Sequence, residues 1–218
     1  MDCTTCMPRK PWDLAFLAEP EEVAVLRRLV RVHLGLWGLY ELIDAAQLCV
    51  SELVSNVIAH VGPGTPTTLA VSMKGTRLRI EVHDPDTRAL PTLRNEGVDA
   101  ECGRGMELIT FMTDRWGVQL LADRKVTWCE IATNLTSPHG HHSGPHVTRA
   151  EEMLSVGSVE MPVRRFGRLS SVTAEEAAIG AIADLLHWLR AHGRDADDVL
   201  DRAQMHFEAE VGVLGNST

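Results

Sequence analysis

Apolar residues recur along this chain with two periods, and each change of period marks an element. Trp12, Leu14 and Phe16 alternate with Asp13 and Ala15, which predicts a short strand ending before Pro20. Pro20, Glu21 and Glu22 then open a helix with apolar positions Val23, Leu26, Val30 and Leu34, stopping at Gly35 to Gly38. From about Tyr40 to His60 two rows spaced four apart, Ala45, Cys49, Leu53, Val57, Val61 and Ala46, Val50, Val54, Ile58, form one wide core-facing stripe. A second helix follows from them, ended by Gly62-Pro63-Gly64. A third row at the same spacing is polar: Glu52, Asn56 and His60 stand one turn apart on one edge of that stripe.

Leu69, Val71 and Met73 alternate, Lys74-Gly75 turns, and Leu78, Ile80 and Val82 alternate on the way back, which predicts a hairpin. It runs into His83-Asp84-Pro85-Asp86 and a polar stretch from Thr87 to Cys102, a length of loop more often functional than idle. Gly103-Arg104-Gly105 opens a helix carrying Met106, Leu108, Ile109 and Met112. Two glycines at a helix start let backbone N–H groups approach an anion. Trp116, Val118 and Leu120, then Val126 to Ile131 after a turn at Ala122 to Lys125, predict two closing strands, and the domain ends near Thr133.

The organisation expected is a flexible start at 1–10, a domain at 11–134, a linker at 135–170 and an acidic helical hairpin at 171–218. The linker is rich in Pro, Gly, Ser and His. In the hairpin, Thr173 and Glu176 form a capping box, the first helix ends at His192-Gly193, and Asp195 caps the second.

Composition narrows the function classes. At 218 residues and 44% hydrophobic the chain is long enough for a proper core. The net charge of −9 argues against nucleic acid, and −6 of it lies from Ser171 onward, where nine acids face three arginines. No apolar run approaches the roughly 18 residues of a membrane span, and the first residues lack the basic start and apolar stretch of a signal peptide. A soluble cytoplasmic protein with no membrane partner is expected. Five scattered cysteines make no disulfide framework, and Cys49 and Cys129 fall on apolar faces where a reduced buried thiol belongs. Cys3 and Cys6 have metal-ligand spacing, and the histidines at 139, 141, 142 and 146 could complete a site, but nothing in the sequence fixes these segments together.

A carboxylate one turn before an amide suits phosphoryl transfer. The amide oxygen is a hard neutral ligand for Mg²⁺, and the carboxylate can orient or deprotonate a nucleophile. The competing reading is a solvated helix edge. The P-loop, dinucleotide, eukaryotic kinase, G-x-S-x-G and H-E-x-x-H signatures are all missing from the chain.

What remains is an ordered set: Glu52-x-x-x-Asn56 on a helix, Asp84 at a strand end, a long loop, and Gly103-x-Gly105 opening a helix. In that order, and in the wording of Glu52 to His60, His83 to Asp86 and Gly103 to Ile109, the chain resembles the GHKL or Bergerat-fold ATP-binding domain. Asp114 to Val118 and Lys125 to Trp128 resemble the closing strands of its short branch, the anti-sigma-factor serine/threonine kinases. The resemblance covers about residues 12 to 133. It implies an α+β two-layer sandwich, a mixed, largely antiparallel sheet covered on one face by helices. It further implies ATP and Mg²⁺ as cofactors, Asn56 holding Mg²⁺, Glu52 acting as base toward the attacking hydroxyl, and Asp84 accepting from the adenine amino group. Gly103, Arg104 and Gly105 would cradle the phosphates beneath a lid between Asp84 and Gly103, with Met106 also among the residues that bind the cofactor. The family's D-x-G-x-G has here become Asp84-Pro85-Asp86-Thr87-Arg88. The partner implied is an anti-anti-sigma-type regulatory protein, with or without a sigma factor, and a homodimer stays open. The alternative is a non-catalytic ATP-binding module whose nucleotide state controls a protein partner. A sensor histidine kinase fragment fits less well, since no dimerisation helix with a phosphoacceptor His precedes Glu52.

Overall fold

Strand alternation and helix stripes assemble into one sheet with helices against one side. The computed structural model describes residues 3, 5–87, 104–156 and 171–215. The chain divides into two units, residues 1–4 with 8–140 and residues 5–7 with 141–218, each taken by itself below.

The first unit runs β1 (Trp12–Ala18), α1 (Pro20–Leu36), a 3-10 turn at Tyr40–Leu42, α2 (Ile43–His60), β2 (Thr65–Lys74), β3 (Arg77–Asp84), α3 (Arg104–Met112), β4 (Arg115–Leu120) and β5 (Lys125–Ala132). The sheet order is β1-β2-β3-β5-β4, and every described pairing is antiparallel. One transverse row, Trp12, Val71, Ile80, Cys129 and Trp116, crosses all five strands. Because side chains alternate with period two, this row and its parallels, Leu69 with Val82 and Leu78 with Ile131, share one face. Against it lie Leu26, Val30 and Leu34 of α1, Val50, Leu53, Val54 and Val57 of α2, and Ile109 of α3, all buried. Cys49 and Cys129 are buried in the same core and form no disulfide. By length and composition alone Tyr40–His60 could cross a membrane. Its apolar stripe instead seats on the sheet.

The other face is held by charge. Arg79 donates to Glu81 at 2.6 Å and to Glu130 at 2.8 Å, and its guanidinium lies 4.2 Å from the Trp128 ring centre. Gly117 on β4 makes room for that indole, since a Cβ there would meet the Trp128 ring at 2.8 Å. The domain also extends past Thr133. Leu135 is buried in the core, and the buried Arg9 donates to three carbonyls, Trp37 at 2.9 Å, Pro138 at 2.9 Å and Gly140 at 2.8 Å.

The second unit holds α4 (Pro145–Val156), α5 (Ser171–Ala191) and α6 (Ala196–Gly215). Helix α4 falls inside the stretch whose composition reads as linker. Pro145 supplies a preset first-turn φ, and Val147 and Ala150, three apart, are buried. Helix α5 begins at Ser171, so Thr173 lies within the helix and not at its cap. It packs chiefly along α4, with little contact to α6. Gly193 at φ 71° ends it, and the Asp195 Oδ1 cap accepts from the N–H groups of Asp197 at 3.0 Å and Asp198 at 3.2 Å.

Candidate functional site

The polar row on α2 meets the start of α3. Glu52 and Asn56 are half-buried, while His60, the last of the row, is exposed. Gly105 is buried beside them: a Cβ there would collide with Glu52 Oε2 and lie 3.9 Å from Asn56 Oδ1. Asn56 Nδ2 donates to Met106 Sδ at 3.2 Å, which fixes the amide and turns its oxygen to the Gly105 side. A carboxylate and an amide oxygen therefore converge on the backbone of the first turn of α3, where helix N–H groups point outward.

Asp84 ends the helix-facing row of β3 and is 2% exposed. Its Oδ1 accepts from the Asp86 N–H at 3.0 Å and pairs with Lys125 Nζ at 3.4 Å. Its Oδ2 is buried and has no hydrogen-bond partner among the described residues. Burial pushes the Asp84 carboxyl above the ordinary carboxylate range, opposed by the Asp86 N–H and by Lys125. An unsatisfied buried carboxylate oxygen costs about 1–3 kcal/mol or more. A ligand that brings an N–H donor relieves that cost, and the adenine amino group is one.

The expected residues thus fall into three groups. Glu52, Asn56, Gly105 and Met106 are brought together, and Asp84 stands at its strand end as anticipated. Arg104 enters as the first residue of α3. Gly103 and the lid segment 88–103 lie outside the described residues. Sequence reasoning missed Lys125, read as turn, whose cross-strand pairing with Asp84 places its ammonium beside the carboxylate. A lysine closing a polar turn ahead of a strand carries no local sign of that role.

A half-buried carboxylate and an amide oxygen against a helix start, with one carboxylate oxygen left without a partner at a strand end, suit a nucleotide-binding domain. The family model for the histidine kinase-like ATPase domain matches residues 16–147, more than half of the chain, and the chain belongs to that GHKL-type family. It is also 39% identical, over 85 residues, to an uncharacterized protein of Streptomyces coelicolor, a match spanning 38% of this chain and 81% of that one. The domain is accordingly an ATP-binding one, of a type that usually takes Mg²⁺. The residues present fit both groups. Asp84 Oδ2 is an acceptor to offer adenine, the first turn of α3 at Gly105 has helix N–H groups to offer phosphate, and Asn56 Oδ1 is the hard neutral oxygen Mg²⁺ takes. Mg²⁺, when bound, neutralises charge on the phosphates.

Proposed function

We propose that the protein is a serine/threonine protein kinase of the anti-sigma-factor type, which regulates transcription by phosphorylating a small antagonist protein, by sequestering a sigma factor, or by both. The observation that carries the reading is the position of Glu52, one turn before Asn56 and so close to Gly105 that no side chain fits between them. A carboxylate there accepts the proton of a Ser or Thr hydroxyl as its oxygen bonds to the γ-phosphorus and ADP departs. Asn56, with its oxygen turned the same way, has a binding role, and Asp84 selects adenine.

The three roles separate by substitution. Glu52→Ala leaves nucleotide affinity nearly unchanged and lowers transfer of labelled γ-phosphate to the partner by about 10²–10⁴-fold. Asn56→Ala lowers both. Asp84→Asn weakens ATP binding by about 2 kcal/mol, and the wild type rejects GTP, whose ring presents an acceptor where adenine presents a donor. Partners are captured with and without ATP. A wild type that binds ATP but transfers no phosphate to any captured protein, with Glu52→Ala indistinguishable from it, is a non-catalytic module.

A further inference from the structure

Away from the nucleotide site, residues 5–7 run against the end of α5. The Met7 N–H donates to His192 O at 3.1 Å, and Arg194 Nη2 reaches Thr5 O at 3.4 Å. This sets Cys6 Sγ 3.6 Å from His141 Nδ1, and Cys6, His141 and His192 offer ligand atoms that all lie within 4.8 Å of one another. We propose that these residues bind a structural Zn²⁺ ion, with Cys6 thiolate, His141 Nδ1 and His192 Nε2 as three ligands. The fourth is read from the sequence. Cys3 stands three positions before Cys6, the spacing at which a C-x₂-C pair shares one ion.

Geometry and tautomers agree. Ligands at about 2.3 Å (sulfur) and 2.0–2.1 Å (nitrogen), subtending a tetrahedral angle, lie about 3.6 Å apart, and the Cys6 to His141 separation is 3.6 Å. Each imidazole has its other nitrogen committed. His141 Nε2 lies 3.1 Å from Glu151 Oε1, and His192 Nδ1 donates to Trp188 O at 2.7 Å. These are the outer-shell partners that metal-bound histidines keep, a carboxylate on one and a backbone carbonyl on the other. They leave His141 Nδ1, which faces the Cys6 thiol, and His192 Nε2 as acceptors, so two imidazole lone pairs and a thiol converge, which is a donor set for a cation. His192 is 2% exposed, with its ring 4.1 Å from Trp188 and 4.0 Å from His141. Stacked aromatic packing alone would account for the burial of His192 but not for the thiol beside His141. Two thiolates and two neutral imidazoles also cancel the charge of Zn²⁺, and soft sulfur with imidazole selects Zn²⁺ over Mg²⁺. The ion would clip Cys6 to the end of α5, and no nucleotide enters its chemistry.

Metal analysis of the full-length chain, purified reduced without added chelator, tests the site. One Zn²⁺ per chain is expected, and Co²⁺ in its place should show a thiolate-to-cobalt charge-transfer band with intense tetrahedral d–d bands. Cys6→Ser, which takes away one of the two thiolates, should weaken the charge-transfer band and lower Co²⁺ and Zn²⁺ affinity. His192→Gln changes a buried residue that the fold also uses, so Glu151→Gln, on a half-exposed carboxylate, gives the second reading. It should weaken Zn²⁺ by about 10–100-fold in chelator competition with an unchanged circular dichroism spectrum. The double change His139→Gln and His142→Gln should leave stoichiometry and affinity as they were. Reduced protein without stoichiometric Zn²⁺, binding indifferent to Cys6→Ser and Glu151→Gln, or binding lost with the 139 and 142 pair instead would each overturn the site.

Discussion

The absence of one methyl group at Gly105 decides where a carboxylate sits. A Cβ there runs into Glu52 Oε2, the far end of a flexible side chain, so Gly105→Ala displaces the carboxylate without breaking the core. Phosphate transfer should fall by about 10²-fold, the cost of misplacing a reacting group by about an ångström, while melting temperature stays near wild type. A steady-state assay beside a thermal melt checks both. Equal loss of folding and activity would mean that the first turn of α3 cannot yield. The pairing of Glu52 with Asn56 was legible in the sequence because helix period is local. Their meeting with Gly105 was not, since it joins positions about fifty residues apart through tertiary packing, and only the resemblance to a known domain pointed to it.

Between elements, the contact of α4 with α5 is fastened by one carboxylate. Asp184 on α5 accepts from Arg149 through both oxygens, at 2.7 Å each, and from His146 at 2.6 Å, while His146 also stacks on His187 at 4.4 Å. The Arg149 guanidinium first, and His146 second, hold the Asp184 carboxyl down to about 2. A depressed carboxylate contributes stability that is present above its unfolded value, about 3.9, and is lost as pH falls through its folded value. The melting-temperature difference between wild type and Asp184→Asn should therefore be full above about pH 4 and close as pH falls toward 2. A difference constant from pH 6 to 2 would remove the ion pair from the account. Elements with a one-sided period, α2 and β3 above all, were readable from their apolar spacing. Helix α4 was not, because among its described side chains Val147 and Ala150 are the only buried apolar ones, and they stand among polar and charged residues just after a run of histidine, serine and glycine. The orphaned oxygen of Asp84 and its Lys125 neighbour depend on strand register, which no single segment encodes.

For the whole molecule, the three carbonyls gripped by Arg9 set how much chain the ATP-binding unit needs. A fragment of residues 8–140 should fold and bind ATP as the full chain does. A fragment of 8–134 loses the buried Leu135 and two of the Arg9 acceptors, leaving a buried guanidinium short of partners. Its stability should drop by roughly 2–5 kcal/mol, the range for a truncated core leucine, with more from the two lost hydrogen bonds. Urea titrations of the two fragments decide the boundary, and equal midpoints would return it to Thr133.

The sheet order carries a consequence for synthesis. Hairpin β2–β3 closes with partners as near as Lys74 and Arg77, whereas the partners of β1 lie between 47 (Ala18 to Thr65) and 59 (Trp12 to Val71) positions downstream. At about 5–20 residues per second on the ribosome, the apolar Trp12, Leu14 and Phe16 emerge some 2–12 s ahead of the strand that will cover their backbone. Loop closure is slower for distant pairings than for hairpins, so β1 docks after the β2–β3 hairpin has closed. During those seconds the nascent chain presents an unpaired strand that any other strand can join, and shielding it falls to the ribosome's chaperones.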